Sequence, residues 1–219
     1  DQPPLSQENL VSKGYEELGK VWQTLRHDRN TLAFLGAFFC YNAGVQTVLF
    51  LAATFAEKEL HFSSSGLIVL VLILQIVAIG GAWLSSRLSK RKGNKFSIMA
   101  MLIIWTGICI AGYFVQTGAD FYTLAAGVGL VMGGIQSLSR ATYAKLLPEN
   151  TPDTASYFSF YDVMDKVSTV AGTFLFGVVD ALTGGMRNSV ASLAVFFIIS
   201  LVVLARVKVQ RMGKVEVAV

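Results

Sequence analysis

Asp162, Asp165 and Lys166 sit close together in an apolar stretch, FSFYDVMDKVSTVAGTFLF from Phe158 to Phe176, that is long enough to cross a bilayer. Each such charge costs roughly 2.5–3.5 kcal/mol at the centre of a membrane helix, while a good apolar residue contributes only about 0.3–0.6. The neighbouring apolar residues therefore do not offset the charges, and the helix is tolerable only if its charged face meets other helices or a water-filled cavity. Asp162, Asp165, Lys166, Thr169 and Thr173 recur at helical spacing and form one polar stripe. On a solute route, Lys166 could meet a carboxylate, and either acid could meet an ammonium or carry a proton. A structural reading stands beside this. Asp162 and Lys166 lie at i and i+4 in the favourable order for an intrahelical ion pair, which leaves Asp165 unpaired.

Further polar groups recur inside other apolar runs. Asn42 and Gln46 are one turn apart, Gln75 stands alone, and Gln136 precedes Arg140 by one turn. Each has two readings. Amides can line a solute path or simply bond across helices to hold a bundle together, and Arg140 can touch solute or snorkel to an interface.

The elements that must position these residues are membrane spans. The chain is 53% hydrophobic and 15% charged, with mean hydropathy +0.56, a balance that indicates an all-α polytopic membrane protein. Six spans are expected at about 31–55, 66–86, 96–116, 121–143, 156–179 and 189–206. Residues 1–30 form a polar segment with Leu18, Val21, Trp22 and Leu25 at helical spacing, either an amphipathic helix on the membrane face or a linker helix. Residues 207–219 form a basic tail. Ser63 to Ser65 can cap the second span and Asp120 the fourth. Pro148 and Pro152 break the chain before the fifth, and Gly127, Gly129, Gly133 and Gly134 allow close helix approach in the fourth. The first residue, Asp1, suggests a piece of a longer chain.

The net charge of +4 sits in short clusters between apolar runs, a topology signal that argues against nucleic-acid binding. Placing Arg87, Lys90, Arg91, Lys92 and Lys95 on the same side as both ends of the chain leaves only Lys58 and Arg187 on the other. By the positive-inside rule both termini are cytoplasmic. Cys40 and Cys109 lie in apolar runs without ligand-like neighbours and read as packing residues. No HExxH, GxSxG or P-loop element occurs, nor the GxGD that would make Tyr161–Asp162 part of an intramembrane protease, so neither an enzyme nor a metal or cofactor site is expected.

Divided into two triplets, the spans repeat a polarity pattern. The first of each carries inner polar groups (Asn42 and Gln46; Gln136 and Arg140), the second carries Gln75 or the Asp162–Lys166 cluster, and the third carries almost none. That is the pattern of two inverted three-helix repeats.

Three stretches carry a resemblance to a known family. YNAGVQT (Tyr41–Thr47), LSKRKGNK (Leu88–Lys95) and GGIQSLSRATYAKLLP (Gly133–Pro148) with FYDVMDKVST (Phe160–Thr169) resemble the C-terminal half of a major facilitator superfamily (MFS) transporter, of the vacuole-effluxer-like group. The sequence departs from the family pattern at Ala43 and Lys90, where Asp is common. The resemblance implies half of an MFS fold and a secondary transporter moving small polar solutes, amino acids among them, by alternating access. It also implies a cytoplasmic loop motif at Arg91, Gly93 and Lys95. The expected partners are the lipid bilayer, the solute, and a missing N-terminal six-helix half or, for an isolated chain, a second copy. A bacterial inner membrane is the expected location, although a vacuolar membrane obeys the same charge rule. The alternative is a non-transporting membrane scaffold or assembly subunit.

Overall fold

A computed structural model describes residues 7–147 and 154–209. The sequence readings at Pro148, Pro152 and the tail beyond residue 209 fall outside these limits. Among the described residues there are seven helices and no strand: α1 (Gln7–Leu25), α2 (Arg29–Leu60), α3 (Ser64–Lys92), α4 (Asn94–Phe114), α5 (Gly118–Leu146), α6 (Thr154–Thr183) and α7 (Met186–Arg206). Helices α2 to α7 are each long and apolar enough to cross a membrane.

Local chemistry sets the ends. Asp28 caps α2, accepting from the Asn30 N–H at 2.9 Å and the Thr31 hydroxyl at 2.5 Å. His61, at φ 53°, closes the other end of α2 in the left-handed region, where the Phe62 N–H reaches the Ala56 carbonyl at 3.1 Å. Ser63 caps α3, accepting from the Gly66 N–H at 3.3 Å. The fourth span differs from the sequence expectation. Thr117, not Asp120, is the N-cap of α5, and Asp120 occupies the third helical position and bonds back to the Thr117 N–H at 3.1 Å. Thr and Asp three residues apart make a capping box, which satisfies two end donors instead of one.

The helices pack in a pattern unchanged when α2, α3 and α4 are exchanged with α5, α6 and α7. Helix α3 lies along α5 as α6 lies along α2, α4 lies against α5 as α7 lies against α2, and α4 and α7 pack on each other. In the α4–α7 contact Trp105 stacks on Phe197 with ring centroids 5.6 Å apart. Cys109 is buried and Cys40 half-buried, and neither forms a disulfide. Two glycines make the closest approaches to a neighbouring helix's backbone. A Cβ on Gly172 of α6 would overlap the Ala43 carbonyl of α2, and one on Gly81 of α3 would overlap the Leu130 carbonyl of α5. The glycines of α5 behave as expected: Gly129, Gly133 and Gly134 face α3, and Gly127 faces Ile108 of α4.

Helix α1 does not stand apart. Val21 and Leu25 are buried, and Trp22 stacks on Phe160 of α6 at 6.1 Å.

Candidate functional site

A polar cavity of about 310 Å³ opens between α2, α5 and α6. Helix α2 contributes Phe38, Tyr41, Asn42 and Gln46; α5 contributes Gln136, Ser139 and Arg140; α6 contributes Tyr161, Asp162, Asp165 and Lys166. Seven of the eight candidate residues from the sequence thus line one space. Gln75 does not: it lies on the exposed face of α3, away from this cavity.

Asp165 is the hub. Its Oδ1 accepts from the Asn42 amide at 2.8 Å and the Gln46 amide at 3.2 Å, both on α2, and its Oδ2 meets Lys166 Nζ at 2.9 Å. Asn42 also donates to Ser168 Oγ at 2.7 Å, and Ser168 donates to the Asp165 carbonyl at 2.8 Å. Several donors thus satisfy the oxygens of this half-buried carboxylate. The Asp165 side chain is only 20% exposed while that of Lys166 is 79% exposed. The carboxylate is therefore fixed and the ammonium is free to swing on its flexible stem.

The expected Asp162–Lys166 pair is absent, and Asp165 is not left unpaired. Lys166 instead pairs with its chain neighbour Asp165, and Asp162 meets Arg140 of α5 at 3.4 Å. Adjacent helical residues normally point apart. Here two amides from α2 hold Asp165, and the long lysine stem turns to reach it. Arg140 is thereby drawn toward α6 and stands over the Phe158 ring at 5.2 Å and the Tyr161 ring at 6.0 Å. Its guanidinium belongs to the cavity and does not extend away from it.

The structure adds members that polarity alone did not single out. Tyr41 donates to Ser139 Oγ at 2.5 Å across α2 and α5, and Ser139 in turn donates to the Ile135 carbonyl. Phe38 stacks on Tyr161 at 4.3 Å and forms an aromatic wall. The sequence signal for these was position: Tyr41 precedes Asn42, Ser139 precedes Arg140, and Ser168 lies one turn beyond Asp165. Ala43, where the family pattern often has Asp, is buried at the Gly172 contact and does not line the cavity.

The loop-motif residues lie elsewhere. Arg91 is exposed at the end of α3, Gly93 makes the turn at φ 90°, and Lys95 donates to the carbonyls of Ala205 and Val207 at 2.8 and 2.7 Å. Lys95 thus ties the start of α4 to the end of α7.

Comparison with known proteins adds the family context. The family described as vacuole effluxer Atg22-like matches residues 1–218. An uncharacterized MFS-type transporter, YxiO of Bacillus subtilis, is 32% identical over 197 residues, covering 90% of this chain and 45% of that protein. Autophagy-related protein 22 of Eremothecium gossypii is 29% identical over 223 residues, covering 94% of this chain and 43% of the relative. The Saccharomyces cerevisiae protein of the same name is 26% identical over 218 residues, covering 94% and 41%. The chain spans less than half the length of these curated relatives.

Proposed function

Because the chain belongs to the vacuole effluxer Atg22-like family, a family of transporters and not of enzymes, we propose that it is the C-terminal six-helix half of a secondary transporter for small polar solutes, amino acids in particular. The observation that carries this reading is the cavity in which Asp165, Lys166, Arg140 and Asp162 meet from α5 and α6. Two cations and two anions in one small space fit a zwitterion. A solute carboxylate competes with Asp165 for the swinging Lys166, and a solute ammonium competes with Arg140 for Asp162. The aromatic wall of Phe38 and Tyr161 provides an apolar surface beside them.

Six helices make half of such a route. The missing N-terminal half, or a second copy where the chain is isolated, closes the other side, and rocking of one half against the other gives alternating access. The matching packing of the two helix triplets supports an inverted repeat within this half. Both termini lie in the cytoplasm on the positive-inside reading, and a bacterial inner membrane is the proposed location.

The test is exchange of labelled amino acids in liposomes containing the full-length carrier. Asp165→Asn and Lys166→Ala are expected to abolish exchange while membrane insertion persists. Wild-type exchange by both variants would remove these residues from the mechanism. The scaffold reading draws on one observation, that Asp165 also fastens α2 to α6. It predicts that Asp165→Asn lowers thermal stability and that no solute exchanges even in well-folded wild-type protein.

A further inference from the structure

A second cleft, of about 630 Å³, lies where the end of α3, the start of α4 and the end of α5 converge. Lys90, Arg91, Lys92, Lys95 and Lys145 all line it, and among the described residues no lining residue is acidic. Among the described residues none of these five cations forms an ion pair. The oxygens that hold two of them are neutral: Lys95 donates to the backbone of Ala205 and Val207, and Lys145 donates to Asn94 Oδ1 at 3.3 Å. The first turn of α4 has no side-chain cap, which adds the positive end of a helix dipole to the same space. Like charges converging without a counter-charge repel one another, so the cleft is built to gain by accepting an anion.

Its walls and level suggest which anion. Phe96 and Met99 also line it, and Phe96 is 45% exposed. One to two turns back along α3, Trp83 is 61% exposed with the Arg87 guanidinium 4.5 Å from its ring centroid. An outward-facing Trp under an Arg is what a span presents at the height of lipid headgroups. We propose that the cleft binds an anionic phospholipid, its phosphate among Lys90, Arg91, Lys92 and Lys145 and its acyl chains against Phe96 and Met99. This inference requires that the protein be embedded in a bilayer and that the cleft meet lipid in the complete carrier, and it does not depend on the transported solute.

The test uses the full-length carrier in neutral detergent, with native mass spectrometry after adding dioleoylphosphatidylglycerol or dioleoylphosphatidylcholine. Wild type should retain the anionic lipid in clear preference to the zwitterionic one. Each cation near an anionic headgroup contributes about a fivefold gain in affinity, so Lys90→Gln/Arg91→Gln/Lys92→Gln should weaken that binding by roughly a hundredfold. All three side chains are exposed, and an unchanged melting temperature without lipid verifies that the variant folds. Arg26→Gln/Arg29→Gln/Lys58→Gln removes the same charge from other exposed positions and should leave the preference intact. Equal retention of the two lipids, or an equal loss in both triple variants, overturns the proposal. So does displacement of the bound lipid by excess inorganic phosphate, which would mark a site for the free ion.

Discussion

The contact between α2 and α6 and the contact between α5 and α3 occupy equivalent places in the bundle but are made of different material. In each, a glycine lets one helix backbone approach the other: Gly172 against Ala43, Gly81 against Leu130. The α5–α3 contact adds mostly small and apolar groups with one long neutral hydrogen bond, from the Tyr122 hydroxyl to the Gly66 carbonyl at 3.4 Å, and its buried hydroxyl, Ser85 Oγ, has a weak partner in Met101 Sδ of α4 at 4.0 Å. Across α2–α6 run the bonds from Asn42 and Gln46 to Asp165 and Ser168. Close packing is thus common to both contacts, whereas charge is confined to one. A bundle needs the first property to form, and the second requires a separate reason. The proposed solute route supplies it.

This comparison can be broken in several ways. The largest effect expected is steric. Gly172→Leu and Gly81→Leu should each destabilise the bundle by about 3 kcal/mol or more, above the usual 1–3 kcal/mol for overpacking, because the obstructing atoms are backbone. Thermal unfolding in detergent measures this, and similar losses in the two variants would support the equivalence of the two contacts. A smaller effect separates them. Asn42→Leu should cost about 1–2 kcal/mol, since it strips a half-buried carboxylate of its shortest donor. Ser85→Ala should cost less than about 1 kcal/mol, because a sulfur acceptor forfeits little. Equal costs would show that the polar links add nothing to the α2–α6 contact.

The smallest effect concerns the entry of α2. Hydrogen bonds from Thr31 first and Asn30 second hold the Asp28 carboxyl below its ordinary value of 3.8. A lowered carboxylate pKa stabilises the fold above the ordinary value, and that contribution disappears as pH falls through the lowered one. Asp28→Ala should therefore cost about 1 kcal/mol at neutral pH, and its difference from wild type should shrink progressively below about pH 4. A difference that persists unchanged in acid would assign the effect to packing.

Much of the site was legible because insertion cost is local. Asp162, Asp165 and Lys166 are conspicuous in any window that contains them, and Asn42, Gln46, Gln136 and Arg140 stand out against their apolar neighbours in the same way. Gln75 passed the same test yet does not line the cavity formed within this chain, since polarity in a window does not reveal which side of a helix a neighbour covers. Tyr41, Ser139 and Ser168 were less visible because a hydroxyl costs little to insert and is common in membrane helices.

By itself the sequence determined the six spans, the basic clusters and the presence of charge within the fifth span, since each follows from the free energy of moving short segments between water and hydrocarbon. The pairing of those charges was decided only by tertiary structure. Helical spacing favours Asp162 with Lys166, but two amides from α2, more than a hundred residues away in the chain, hold Asp165 where Lys166 can reach it, and Arg140 from α5 takes Asp162. An ion pair depends on distance and on competing donors, and both are set by how helices remote in sequence come to lie side by side.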